Sequence, residues 1–307
     1  MPKATVVMPC YNSARFISAS VSSILLQSFV DFELIIVDDG STDDSALIIK
    51  RLAATDPRIV LVMHDRNYGA SCSRNDGLRI AKGEFVGFCD ADDLWVPSKL
   101  EHQVASLLNN ESFDIAYCDS DIIDASGRPV GQLFSQRFPL PRVPSGYLFR
   151  ELCGTNFINM QTVLIRRHAL AENVYFDTNI RWVEDWWQWI RLSRKHLFLF
   201  DPTPLAQYRV HEQSSNVTQR RGIQLNRWKV SKRNLRTHPD MQGRIKALIW
   251  YQMGLGLSLL ANPRLAFRFN LKATLYCLVF GAPPLRFLKL GRLLASDFAR
   301  GYLTSGG

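Results

Sequence analysis

Residues 83–100 read GEFVGFCDADDLWVPSKL, and this stretch decides the fold. Glu84 to Cys89 form an apolar run of strand length that ends abruptly in Asp90, Ala91, Asp92 and Asp93. Alternation at a strand end puts Asp90 and Asp92 on one side, where both can face one hard cation, while Asp93 begins the next turn. Acidic residues after a strand also serve as turn and cap residues, and Leu94–Leu100, with Trp95 and Pro97, reads as a helix start. The flanking sequence decides between the two.

Upstream, the same unit of strand and polar loop recurs. Ala4–Met8 (ATVVM) is a strand followed by Pro9, Cys10, Tyr11, Asn12 and Ser13. Asn12 or Ser13 is placed to cap a helix running to Gln27, with Phe16, Ile17, Val21, Ile24 and Leu25 at helical spacing. Phe32–Val37 (FELIIV) is a second strand, running into Asp38, Asp39 and the loop GSTDD. A helix over about 44–55, a strand over Ile59–His64 and a helix over Ala70–Ala81 come next. This alternation predicts an α/β fold with a mainly parallel, twisted sheet flanked by helices. Ligands in such sheets collect beyond the carboxyl ends of the strands. PCYN, DDGSTDD and DADD all fall at that edge.

Downstream, Ile115–Cys118 (IAYC) is a strand with an acidic end at Asp119 and Asp121, Asp124–Gly127 a hairpin-like turn, and Met160–Arg166 (MQTVLIR) a further strand. Pro139, Pro141 and Pro144 mark a loop. In RWVEDWWQWIRL, Glu184 and Asp185 open a helix whose buried face carries Trp186, Trp189, Ile190 and Leu192. Both carboxylates then sit at the positive end of that helix, either as caps or as working groups.

Composition bounds the chain from outside. With 307 residues, 47% hydrophobic and 21% charged, it buries a core in one large or two smaller domains and is not disordered. The first residues lack the apolar stretch of a secretory signal. Six cysteines without a CxxC spacing suit reduced thiols in the cytosol. Residues 1–215 carry 21 Lys plus Arg against 26 Asp plus Glu, whereas 216–307 carry 16 against 2. Positive charge therefore belongs to the last third, which offers a surface to an anionic membrane, nucleic acid or anionic substrate. The uncharged run Ala247–Pro263 has 17 residues, two Gly and an Asn-Pro end, and falls short of a membrane span. Residues 216–307 are expected to form two or three helices packed on the rest.

Six motifs in order, VVMPCYN, QSFVDFELIIVDDGSTDDS, NYGASCSRNDGL, GEFVGFCDADD, WVEDWWQWIRL and YRVHEQSS, make residues 4–215 resemble family 2 glycosyltransferases. The resemblance implies an A-type glycosyltransferase fold: 1–105 as the nucleotide-sugar half, 106–215 as the acceptor half, and 216–307 as a basic C-terminal helical region. Residues 125–155 would border the acceptor. Asp39 would accept hydrogen bonds from the donor's pyrimidine ring above a floor of Pro9, Tyr11 and Asn12. Arg74 would contact the donor or pair with a loop aspartate. Asp90 and Asp92 would be the DxD pair, with Ala91 between them against the donor. Asp92 would be the more direct ligand of Mn²⁺ or Mg²⁺. Asp185 would be the catalytic base, with Glu184 and Trp186 supporting it or contacting the acceptor. Where many relatives carry an acidic residue two places later, this chain has Trp187. His211 would complete the metal or diphosphate site, with Arg209 as the alternative partner of the diphosphate.

The implied activity is inverting, metal-dependent transfer from a nucleoside-diphosphate sugar, a UDP-sugar, to a hydroxyl of a glycan or lipid-linked acceptor in surface polysaccharide assembly. It would occur in the cytoplasm, with 216–307 resting on the inner face of the membrane, and without a nucleic-acid partner. Two other classes use similar parts. A nucleotidyltransferase would carry a Gly-rich basic loop where PCYNSARF stands, and a non-catalytic sugar-nucleotide binder would not need Asp92 and Asp185.

Overall fold

A computed structural model describes residues 1–137, 143–170, 175–237, 249, 268 and 271–272. The chain divides into two compact units, one formed by Met1–Phe149 with Asn156–Ser214 and the other by Arg150–Thr155 with Ser215–Gly307.

The first unit is built on one sheet. Its opening strands are β1 (Ala4–Cys10), β2 (Phe32–Asp38), β3 (Ile59–Met63) and β4 (Phe85–Phe88), with helices α1 (Ile17–Leu25), α2 (Ser45–Thr55) and α3 (Ala70–Ile80) between them. Every residue of β1 and β2 is buried, as a strand covered on both faces requires, and this explains their unbroken apolar runs. β1 lies between β2 and β4, all parallel, with Val7 opposite both Ile35 and Phe88. Cys10 pairs with Asp38, and the Asp39 N–H donates to the Cys10 carbonyl at 2.8 Å, so the loops after β1 and β2 leave the sheet side by side. The expected shared edge of the three polar loops is present. Gly77 lets α3 lie tight on β1, because a Cβ there would meet Val7 Cγ1 at 2.5 Å.

After β4 come β5 (Leu94–Trp95), α4 (Lys99–Asn109), β6 (Ile115–Ile123), β7 (Pro129–Leu133), α5 (Phe149–Gly154), which from Arg150 on belongs to the second unit, β8 (Val163–Arg166), α6 (Arg167–Leu170), α7 (Glu184–Leu192) and β9 (Phe198–Arg209). The sheet order is β3-β2-β1-β4-β8-β6-β9-β5, with β7 attached to β6. The first four strands are parallel as expected. Beyond β4 the sheet is mixed, since β8 runs antiparallel to β4 and β6, β9 parallel to β6, and β5 antiparallel to β9.

Three local expectations are corrected. Leu94 and Trp95 form a strand, pairing with Gln207 and Ala206, and the helix starts only at Lys99. Pro97 holds Val96 away from helical geometry, while Trp95 packs over Gly87, where a Cβ would meet its ring at 2.8 Å. No side chain caps α1, which begins at Ile17. Asn12 adopts a left-handed φ of 49° and turns its side chain across to the next loop instead. Met160–Thr162 is a 3-10 turn, so the strand after it is confined to Val163–Arg166.

In the second unit, α8 (Ser215–Thr218) and α9 (Arg220–Thr237) are helical as expected. α9 buries Ile223, Asn226, Val230, Ser231 and Asn234, and Arg220, Arg221, Lys229, Arg233 and Arg236 are exposed along it. No helix among the described residues is long and apolar enough to cross a membrane. Pro139 and Pro141 lie outside the described residues, as do the run 247–263 except Ile249, and residues 264–267, 269–270 and 273–307.

Candidate active site

Asp39, just beyond β2, is buried and held on both oxygens. Its Oδ1 accepts the Tyr68 N–H at 2.9 Å and lies 2.7 Å from His64 Nδ1, while its Oδ2 accepts the Gly69 N–H at 2.7 Å. Gly69 reaches that position at φ 96°, which a residue with a side chain adopts only with strain. On its other nitrogen, His64 faces Asp76 Oδ2 of α3 at 3.1 Å. The neighbouring loops are stitched together: Asn12 Oδ1 accepts the Thr42 N–H at 2.8 Å, and the Asn12 N–H donates to Ser41 Oγ at 3.0 Å. Pro9 is buried inside β1, whereas Tyr11 is 45% exposed beside the same edge. Asp43 accepts N–H bonds from Ala14 and Ser45, which pull its carboxyl below the usual range against a desolvation that raises it.

The acid loop after β4 splits its carboxylates among different partners. Arg74 of α3 donates Nη2 to Asp90 Oδ1 and Nη1 to Glu184 Oε1, both at 2.7 Å, and its side chain is only 5% exposed. Burial would lower the Arg74 pKa, but the two carboxylates outweigh it and raise it. Arg74 thus takes the ion-pair role, and the guanidinium joins the acid loop to the start of α7. Asp92 Oδ2 lies 3.0 Å from His211 Nε2. Asp93 is buried and accepts the Arg209 N–H at 2.8 Å, and desolvation beside Asp92 and Asp90 pushes its carboxyl well up. It caps no helix. Burial also raises Asp90, against the pull of Arg74. Ala91, expected against the donor, is buried, and its carbonyl accepts the Ser20 hydroxyl at 2.9 Å.

Arg209, expected as an alternative partner of the diphosphate, is committed to the protein. Nε donates to the Asp92 carbonyl at 2.7 Å, and Nη1 to the carbonyls of Asp124 and Ala125. Its guanidinium stacks over Phe16, whose ring also packs on His211 at 4.6 Å. From YRVHEQSS, His211 is thus the side chain set against the Asp92 carboxylate, while Arg209 holds the loop's backbone.

At the start of α7, Asp185 accepts the Trp186 N–H on Oδ1 at 2.7 Å and Asn156 Nδ2 on Oδ2 at 2.9 Å. Desolvation, then the charge of Glu184, push its pKa up to about 7, although both hydrogen bonds and Arg74 pull the other way. A carboxylate so placed is a competent proton acceptor near neutrality. Trp182, three residues before it, sits at φ 64°, an uncommon backbone state for a bulky residue and one found at constrained sites. Trp186 is buried in the core face of the helix, and its N–H is the one that Asp185 accepts.

Among the described residues no three His, Cys, Asp or Glu side chains gather as a metal cluster. The donor set still fits a hard or borderline cation. Asp92 and His211 offer an oxygen and an imidazole nitrogen together, and Mg²⁺ or Mn²⁺ at such sites draws further ligands from substrate phosphates. Asp90, expected as a second ligand, has Oδ1 turned to Arg74.

The structure therefore brings Arg74, Asp90, Glu184 and Asp185 into one chain of contacts, with Asp92 and His211 beside it, and holds Asp39 in a separate cradle. Sequence reading missed His64, Asp76 and Asn156. His64 stands at a strand end and Asn156 in a loop, where no periodicity marks them.

The chain matches the model of "Glycosyl transferase family 2" over residues 5–174. It is 30% identical over 233 residues to a putative teichuronic acid biosynthesis glycosyltransferase, TuaG, of Bacillus subtilis, covering 76% of this chain and 85% of that protein. It is 31% identical over 190 residues to the Escherichia coli UDP-Glc:alpha-D-GlcNAc-diphosphoundecaprenol beta-1,3-glucosyltransferase WfgD, covering 62% and 69%. An uncharacterized glycosyltransferase of Rickettsia bellii is 33% identical over 64% of this chain, which spans only 27% of that longer protein. Among solved structures, S. aureus TarS in complex with UDP-GlcNAc superposes with a TM-score of 0.64 at 23% identity, covering 84% of this chain and 75% of that one. The mannosyltransferase PcManGT of Pyrobaculum calidifontis, in complex with GDP-Man and Mn2+, does so at 0.64 and 22%, covering 99% and 83%. At such identities the structural likeness establishes the A-type glycosyltransferase fold. The chain therefore belongs to glycosyl transferase family 2 and carries its glycosyltransferase domain.

Proposed function

We propose that this protein moves a sugar from a nucleoside-diphosphate sugar, a UDP-sugar, to a hydroxyl of a glycan or lipid-linked acceptor, with inversion at the anomeric carbon. The observation that carries this reading is the Asp90–Arg74–Glu184 bridge, which ties the acid loop to the helix start where Asp185 has a pKa raised to about 7. A base and a diphosphate-facing loop fixed in one rigid network suit a single displacement.

In that displacement Asp185 takes the proton from the acceptor hydroxyl as its oxygen bonds to the anomeric carbon. The bond from that carbon to the diphosphate breaks on the opposite face, which inverts the centre. Asp39, pre-oriented by Tyr68, Gly69 and His64, accepts from the nucleobase, with Tyr11 at the exposed rim. Asp92 and His211 would hold Mn²⁺ or Mg²⁺, which when bound neutralises charge on the leaving diphosphate. Among relatives, one is named for teichuronic acid biosynthesis and one for a diphosphoundecaprenol acceptor, and both names support a role in surface polysaccharide assembly. The basic region 216–307 would rest on an anionic leaflet near such an acceptor, which binding to anionic liposomes at low salt tests.

The decisive assay measures donor turnover with UDP-, GDP- and dTDP-sugars, with and without Mn²⁺. Metal-stimulated turnover of a UDP-sugar is expected, with the product anomer opposite to that of the donor. Absence of turnover and binding for every donor would overturn the enzyme reading. Binding without turnover would favour the non-catalytic binder.

A further inference from the structure

We infer that Asn156 is the positioning residue of the catalytic base: its amide fixes which lone pair of Asp185 meets the acceptor hydroxyl. This rests on Asp185 being the base. Asp185 has two oxygens and two protein donors, the Trp186 N–H on Oδ1 and Asn156 Nδ2 on Oδ2. The first bond comes from the helix backbone and leaves the carboxylate free to swing about that oxygen. The second stops the swing. One lone pair on Oδ2 then stays open for the incoming proton.

The state of the amide itself argues that it is held for this contact. Asn156 Oδ1 is buried and without a hydrogen-bond partner among the described residues. A buried carbonyl left unsatisfied costs stability, so a residue selected for structure alone would not be an amide in this orientation. Turning the amide over would set oxygen against oxygen at Asp185, so the bond fixes the amide as firmly as the carboxylate. Because the side chain is neutral, it steadies the ionised carboxylate without cancelling its basicity. The charged groups facing Asp185 are Glu184 on its own helix, which makes it a stronger base, and Arg74 from α3, which makes it a weaker one. Asn156 approaches from the loop before β8, and in the reaction it neither gains nor loses a proton. The acceptor O–H proton ends on Asp185, and the electron pair of the cleaved bond leaves with the diphosphate.

The experiment compares wild type with Asn156→Ala, Asn156→Asp and Asp185→Asn in acceptor transfer, donor binding and thermal unfolding. Asn156→Ala should keep the wild-type Tm and donor affinity. Its kcat should fall roughly ten- to a hundredfold, the scale of a small misplacement of a reacting group. The acid limb of its pH profile should move up by roughly one unit, since the ionised base has lost a donor. Asn156→Asp, nearly isosteric, should move that limb further up and recover part of its rate at alkaline pH. It carries the test if the alanine variant does not fold. If Asp185→Asn abolishes transfer while the Asn156 variants keep the wild-type rate and acid limb, the inference is overturned and the base assignment stands. If Asp185→Asn still transfers, the base assignment falls and this inference with it.

Discussion

Asp39 and Asp185 stand at the same edge of one sheet and are treated oppositely by their surroundings. Asp39 is ringed by the Tyr68 and Gly69 N–H groups and by His64, all within 2.9 Å, and those donors come from a single loop, 64–69. Asp185 has two donors, a carboxylate neighbour in Glu184 and a pKa pushed up to about 7 by burial and that charge. A carboxylate held on both oxygens by protein donors is a fixed acceptor. One that is desolvated and pressed by a like charge seeks a proton. The first geometry suits recognition of a nucleobase edge, the second abstraction of a hydroxyl proton. Arg74 stands between the two behaviours. Its guanidinium donates to both Asp90 and Glu184.

The comparison can be broken most severely at Asp185. Asp185→Asn should cut kcat by about 10²- to 10⁴-fold, the range for loss of a general base, with donor affinity unchanged by calorimetry. A parallel loss of donor affinity would merge two roles that are separate here. Arg74→Met comes next. Removing the guanidinium leaves buried Glu184 and half-buried Asp90 without their counter-charge, which should cost about 3 kcal/mol in urea unfolding, the low end for a broken buried pair because Asp90 is partly solvated. Asp39→Asn should weaken donor binding by roughly ten- to a hundredfold, about the worth of one or two hydrogen bonds, and leave the pH profile of kcat in place. That outcome would sharpen the division between recognition and chemistry.

Much of this arrangement is readable in the sequence, and the reasons are local. β1, β2 and β4 are buried on both faces, so their sequences are continuous apolar runs that end sharply in polar loops. α7 is visible because its tryptophans recur at helical spacing behind the Glu-Asp pair. Leu94–Trp95 reads as helix because a two-residue strand has no period, and what fixes it is its pairing with β9 more than a hundred residues later. Arg209 carries a charge that suggests phosphate, yet its partners are backbone carbonyls of Asp92, Asp124 and Ala125, which no side-chain pattern marks. Of the two roles open to Arg74, the ion pair is legible without its full reach, because one of its carboxylates lies 110 positions away.

Smaller effects arise from the same electrostatics. The folded-state pKa of Asp185 lies above the ordinary carboxylate value, so its contribution favours folding at low pH and is lost as pH rises through about 7. Asp185→Asn should therefore resist urea better than wild type at pH 8, and the gap should narrow toward pH 5. Equal midpoints at both pH values would mean that Asp185 is not desolvated in solution. At the bottom of the scale, the exposed Arg15–Glu212 pair should contribute nothing measurable, and Arg15→Ala should leave the unfolding midpoint where it is.

The most direct test of the division between these two carboxylates is the pH dependence of kcat in the wild-type enzyme at saturating donor and acceptor. As the proposed base, Asp185 would act ionised, so the rate should fall on the acid side with a midpoint of about 7. A rate that stays level down to about pH 4, the ordinary carboxylate range, would contradict the account.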